Sequence, residues 1–119
     1  MNASTAEALQ RSMADALRAE DPVAAMRALA NDASLDAATR QALLAADADG
    51  LRLTALLTAK LRFERIIRGS ASAERWFDED PAAFSDAFRR YHAEVPPTAH
   101  FPAAEARSFL RWRAAGHQR

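Results

Sequence analysis

The chain has 119 residues, half of them hydrophobic, with three glycines and no cysteine. Its sixteen cations balance its sixteen carboxylates, so no global field draws it to nucleic acid or to an anionic membrane. The missing cysteine excludes a disulfide framework, a thiolate metal site and a cysteine nucleophile, and no apolar run approaches the ~20 residues of a membrane span. A composition rich in Ala and Arg, and poor in turn glycines, predicts an all-α protein. The expected architecture is one domain over residues 1–119, a helical bundle of five to six helices with residues 1–4 and 115–119 frayed. The opening MNASTAEALQRSM lacks the basic start and apolar core of a signal peptide, so the expected location is cytoplasmic. Charge is distributed unevenly: residues 1–50 carry four arginines against eight carboxylates, while Leu51 to Phe77 carry six cations against two carboxylates.

Ser4 and Glu7 have the spacing of a capping box, and Leu9, Met13 and Leu17 continue from it as a narrow apolar stripe. Asp21-Pro22 predicts a cap and a restart, because proline at the first helical position gives up no needed hydrogen bond. The short helix that follows buries Val23, Met26 and Leu29 and ends at Asn31-Asp32. Asp36 predicts a third cap, for a helix carrying Leu43 and Leu44. At Ala48-Asp49-Gly50 the spacing favours a helix that continues through a weak point, since Gly costs about 1 kcal/mol in a helix relative to Ala. The stretch LRLTALLTAKLRFERIIRG is the most hydrophobic of the chain. It is expected to form the central helix, with Leu53, Leu56, Leu57, Phe63, Ile66 and Ile67 pointing inward. Gly69 is expected to stop it in a left-handed conformation.

Ser72 to Phe77 predicts a short helix with Trp76 and Phe77. Asp80-Pro81 repeats the Asp-Pro start, and Phe84, Phe88 and Tyr91 form a stripe at helical spacing. Val95-Pro96-Pro97 must end that helix, because the residue before a proline is pushed out of the helical region. Pro102 opens a last helix with Phe109, Leu110 and Trp112 on its apolar side.

The stretch RYHAEVPPTAHFP, Arg90 to Pro102, gathers two histidines, a glutamate and three prolines within thirteen residues. His92, Glu94 and His100 are its candidate ligands or acid–base groups. A metal site needs three or four convergent ligands with a supporting shell, and this spacing across a Pro-Pro turn matches no such pattern; solvent-facing or capping roles are expected for both histidines. Glu64, flanked by Arg62, Arg65 and Arg68, reads as a solvated face with a Glu64–Arg68 pair. No phosphate loop, nucleophile elbow or zinc-protease motif is present. The expectation is that the chain is not an enzyme and holds no cofactor. The alternatives are a nucleic-acid-binding helical domain using the basic segment Arg52 to Arg75, and a small metal-dependent enzyme using His92, Glu94 and His100.

A series of landmarks runs through most of the chain: Leu9-Gln10, Leu35-Asp36-Ala37-Ala38 with Arg40, the leucine-rich stretch to Leu57, Phe63 with Gly69, the Phe84, Phe88 and Tyr91 stripe, Pro96-Pro97, and Phe109-Leu110. In these it resembles small helical partner proteins of the multinuclear non-haem iron oxidative enzymes, TIM-barrel proteins that modify cysteines of ribosomally made peptides. The accessory proteins of methanobactin and 3-thiaglutamate biosynthesis are examples, as is the helical N-terminal domain of a family labelled as DNA-binding. Leu44 departs from the Tyr common in such proteins, and Glu64 stands in place of a Pro. The resemblance implies a non-catalytic subunit that forms a heterodimer with the barrel oxidase and helps hold the precursor peptide's leader. Iron would then belong to the partner, with no nucleic acid and no membrane involved. Recognition favours aromatic and arginine anchors on a stiff frame. The candidate contact residues are therefore Arg62, Arg65, Tyr91, His92, Pro96, Pro97, His100, Phe101 and Trp112.

Overall fold

The computed structural model describes residues 3–98 and 101–116, with side chains from residue 5 onward. The described residues form seven α-helices and no strand, so the protein is all-α. The helices are α1 (Ala3–Leu17), α2 (Pro22–Ala28), α3 (Ala37–Ala45), α4 (Ala48–Gly69), α5 (Ala71–Glu79), α6 (Pro81–Glu94) and α7 (Pro102–Ala114). One turn of 3-10 helix, Leu29–Asn31, follows α2. None of these helices is long and apolar enough to cross a membrane.

The caps expected at Asp21, Asp36 and Asp80 form. The carboxylates of Asp21, Asp36 and Asp80 each accept the amide three residues on, at Ala24, Thr39 and Ala83, which satisfies one of the free donors of each helix start. Ser70 does the same for Ala73 at the start of α5. α1 already runs from Ala3, so Ser4 lies inside it, and its side chain is outside the described residues.

Two expectations about glycines are corrected. The third and fourth helices are not continuous through Gly50: α3 ends at Ala45, and Asp47 accepts the Gly50 amide at 2.7 Å. Gly50 thus sits in the first turn of α4, where it interrupts nothing, and this break raises the helix count to seven. Gly69 is not left-handed either; the positive φ among the described glycines belongs to Gly116. Gly69 is required by a close approach instead. A Cβ placed on it would lie 2.0 Å from the Pro102 carbonyl oxygen, so only glycine lets the end of α4 meet the start of α7.

The chain divides into two compact units, one through Leu57 and one from Thr58, with the division inside α4. In the first unit Ala16, Met26, Ala30, Leu35 and Leu43 form the core, with Leu9, Met13, Leu17 and Leu51 packed against it. The second unit is organised around aromatic rings. Phe63 meets Phe77, Phe84 and Phe88 edge-on at 5.1–5.6 Å, and Phe109 stacks on Trp76 and meets Phe84 and Tyr91 edge-on. Offset and edge-to-face pairs of this kind add to the burial energy of the rings themselves.

Phe63, Ile66 and Ile67 turn into the core of the second unit as expected, but Leu53, Leu56 and Leu57 do not point inward. Arg62 and Ile66 are buried, with Ala59 and Phe63 packed into the core beside them. Leu53, Leu56, Leu57 and Leu61 lie on the opposite face and are 48–65% exposed. Glu64 pairs with Lys60 at 3.6 Å rather than with Arg68.

Candidate functional site: a buried arginine clamp beneath the Val95–Pro97 corner

The second unit carries three buried polar side chains close together: Arg62 from α4, His92 from α6 and Glu105 from α7. The Gly69–Pro102 approach explains the meeting. Arg62 lies two helical turns before Gly69, and Glu105 lies one turn after the start of α7. With α4 and α7 this close, the Arg62 Nε reaches Glu105 Oε1 at 2.7 Å, and Nη2 reaches Oε2 at 3.4 Å. The side chains of this pair are only 4% and 3% exposed. Glu105 also sits in the first turn of its helix, where negative charge is favoured.

The rest of the guanidinium is used as well. Nη1 donates to the Val95 carbonyl oxygen at 2.7 Å and lies 3.2 Å from His92 Nδ1. An arginine nitrogen can only donate, so Nδ1 must accept, which places the His92 proton on Nε2. The Tyr91 hydroxyl donates to Glu105 Oε2 at 2.9 Å, and Ser108 Oγ completes its bonding at 2.7 Å. The Arg62 guanidinium carbon lies 4.4 Å from the centroid of the Tyr91 ring, within cation–π range. Burial pushes the Tyr91 phenol above its ordinary pKa; the neighbouring Glu105 raises it further, and the Ser108 bond and Arg62 act the other way.

This cluster is a clamp. Arg62 ties α4 to α7 through Glu105 and to the end of α6 through the Val95 carbonyl. Val95 is the residue that ends α6, and its amide still bonds to the Tyr91 carbonyl. The chain then turns out through Pro96 and Pro97, both exposed. A second tie lies nearby, where Trp112 Nε1 donates to Glu94 Oε2 at 3.1 Å.

The residues singled out in the sequence therefore separate into two groups. Arg62, Tyr91, His92 and Trp112 are buried and bond or pack within the second unit. The solvated face expected for Arg62 and the solvent-facing or capping role expected for His92 are corrected: α4 turns Arg62 inward, and His92 stacks on Phe88 at 5.4 Å. Pro96, Pro97 and Phe101 are exposed, Phe101 by 73%. Arg65 is partly buried, and His100 lies outside the described residues. His92 and Glu94 face different partners, Arg62 and Trp112. Among the described residues no three His, Asp or Glu side chains are grouped to hold a metal ion.

Sequence reasoning missed Glu105 and Ser108. A carboxylate three residues after Pro102 reads as ordinary helix-start charge, and its partner is 43 residues away. The available signal was weak: Glu105 falls on the same side of α7 as Phe109 and Trp112.

Compared with family models, with curated proteins and with solved structures, the chain finds no match in any of the three.

Proposed function

We propose that this chain is a non-catalytic partner subunit that binds a TIM-barrel iron oxidase and helps engage the leader of its ribosomally made precursor peptide, with the corner after α6 as its contact surface. The observation that carries this reading is the exposure of Phe101 and of Pro96 and Pro97, with the Val95 carbonyl just before the two prolines fixed by a buried arginine. An exposed aromatic on a proline-stiffened frame loses little conformational freedom when it binds, which is the property of a recognition anchor. The polar groups that could have done chemistry, Arg62, Tyr91, His92 and Glu105, are engaged with one another and support that frame. Iron and oxygen chemistry belong to the partner in this reading.

Co-expression with a barrel oxidase and its precursor peptide tests it. A stable complex is expected, and Phe101→Ala should weaken it at least ~10-fold, as loss of an aromatic anchor does, while leaving the melting temperature unchanged. Failure of the two proteins to co-purify, or a complex indifferent to Phe101→Ala and Phe101→Asp, refutes the reading.

A further inference from the structure

We propose that His92 makes the arginine clamp an acid-sensitive latch: a proton taken up at its Nδ1 drives off Arg62 Nη1, and the Val95 carbonyl that leads into Pro96-Pro97 is released. Nη1 serves two acceptors. It donates to the Val95 oxygen at 2.7 Å and faces His92 Nδ1 at 3.2 Å. The guanidinium stays charged and can only donate, so Nδ1 suits it only while that nitrogen carries no proton. Once protonated, the imidazolium and the guanidinium are two cations 3.2 Å apart. His92 is 8% exposed and Arg62 4%, so water screens little of the repulsion.

The charged groups around the ring set the direction. On α4, Arg62 opposes a proton. On α7, Glu105 favours one, but both its oxygens already take Arg62 and one also takes the Tyr91 hydroxyl. On α6, Glu94 is turned to Trp112, and Arg89 is exposed beside Asp86. Arg62 and Glu105 offset each other, so a proton on His92 gives the buried cluster a net positive charge, which burial opposes. The folded state therefore binds this proton less well than the unfolded chain. The contribution of His92 to stability is fully present above the ordinary histidine value of ~6.5 and is lost as pH falls from there. Phe88, stacked on the ring at 5.4 Å, keeps it facing the guanidinium. Nε and Nη2 remain on Glu105, so the end of the guanidinium that gives way is Nη1, the one that holds Val95. The consequence for partner binding rests on the reading of the corner as the contact surface; the latch itself does not.

An NMR titration of the full chain tests the latch without any partner, with the His92 ring assigned through its contact with Phe88. His92 should titrate at least ~1 pH unit below the ordinary ~6.5, a roughly tenfold weaker hold on its proton. The Val95 carbonyl resonance should move with the same midpoint. His92→Asn, which offers an oxygen near the place of Nδ1 and takes no proton, should leave that resonance still. In the Arg62→Met, Glu105→Leu double variant His92 should titrate ~1 unit higher than in the parent; an unchanged midpoint there overturns the proposal. Titration of the parent at or above ~6.5 also overturns it, as does a Val95 resonance indifferent to that titration. Oxidase binding should weaken at least ~10-fold between pH ~7.5 and ~5.5 in the parent and persist in His92→Asn; equal weakening in both overturns the release of the partner. Failure to bind at either pH refutes the contact reading alone, and the titration still decides the latch.

Discussion

Removing Arg62 is the most informative perturbation of the second unit. Arg62→Met keeps much of the apolar stem but deletes both contacts to Glu105, the bond to the Val95 carbonyl, the contact with His92 and the cation over Tyr91. Glu105 would keep a bond from Tyr91 alone and would be a buried carboxylate without a counter-charge. Breaking a buried pair from one side costs about 3–5 kcal/mol. For a folding unit of this size each kcal/mol lowers the melting temperature by roughly 4–8 °C, so Arg62→Met should lose most of the stability of the second unit.

Arg62→Met combined with Glu105→Leu leaves no buried charge, and replacing a buried pair by apolar groups is often neutral or stabilising. The double variant should therefore recover to within ~2 kcal/mol of the parent, since the Val95 carbonyl still lacks its donor. Urea unfolding followed by tryptophan fluorescence reports on this unit alone, because Trp76 and Trp112 both belong to it. The double-mutant cycle should give a coupling of at least ~2 kcal/mol between positions 62 and 105. If Arg62→Met costs less than ~1 kcal/mol, or if the two losses simply add, the clamp as described is wrong.

Gly69→Ala should destabilise by more than ~2 kcal/mol through overpacking against the Pro102 carbonyl, whereas Ala in place of a helical Gly ordinarily stabilises by ~0.5–1 kcal/mol; a stabilised variant refutes the close approach. The raised pKa of Tyr91 means that the folded state holds the phenolic proton more tightly than the unfolded chain. This contribution is fully present below pH ~10 and is lost as pH rises through the folded-state value; Tyr91→Phe should abolish that alkaline component in a pH series of melting temperatures. The first unit responds at the other end of the scale. Backbone amides donated by Ser34 and Thr39 lower the carboxyl pKa values of Asp32 and Asp36, so their contribution is present above the usual carboxyl range and disappears as pH falls through the lowered values. Asp36→Ala should flatten that acid response and loosen α3, as read by hydrogen exchange at its first turn.

Much of the fold was legible because helix starts are local. Asp21, Asp36 and Asp80 announce themselves through the amide three residues on, and the pairs Asp21-Pro22 and Asp80-Pro81 leave little choice of conformation. The break before α4 is just as local, but its cap is Asp47, and the glycine three residues later drew attention as a weak point when it is a first-turn residue. The leucine face was misread for a different reason. Periodicity finds an apolar stripe but does not say what covers it, and hydrophobicity does not guarantee burial. Here Ala59, Arg62, Phe63 and Ile66 form the covered side, and an arginine in that set looks polar until Glu105 is known. The clamp itself was illegible because Arg62, His92 and Glu105 come from three helices with no shared local pattern.

A buried ion pair is weak evidence for stability, because apolar residues of similar volume often serve as well. What apolar residues cannot do is hold a carbonyl. Arg62 Nη1 fixes Val95 oxygen at the point where α6 ends, and a leucine or methionine there would leave the chain entering Pro96-Pro97 without that restraint. The Arg62→Met, Glu105→Leu double variant therefore separates two uses of the clamp. Its core can be nearly as stable as the parent's, yet the chain entering Pro96-Pro97 loses its tether at Val95. Oxidase binding that falls in a fully folded double variant would assign the clamp to positioning the contact surface. Binding that survives unchanged would reduce it to one more way of joining α4 to α7.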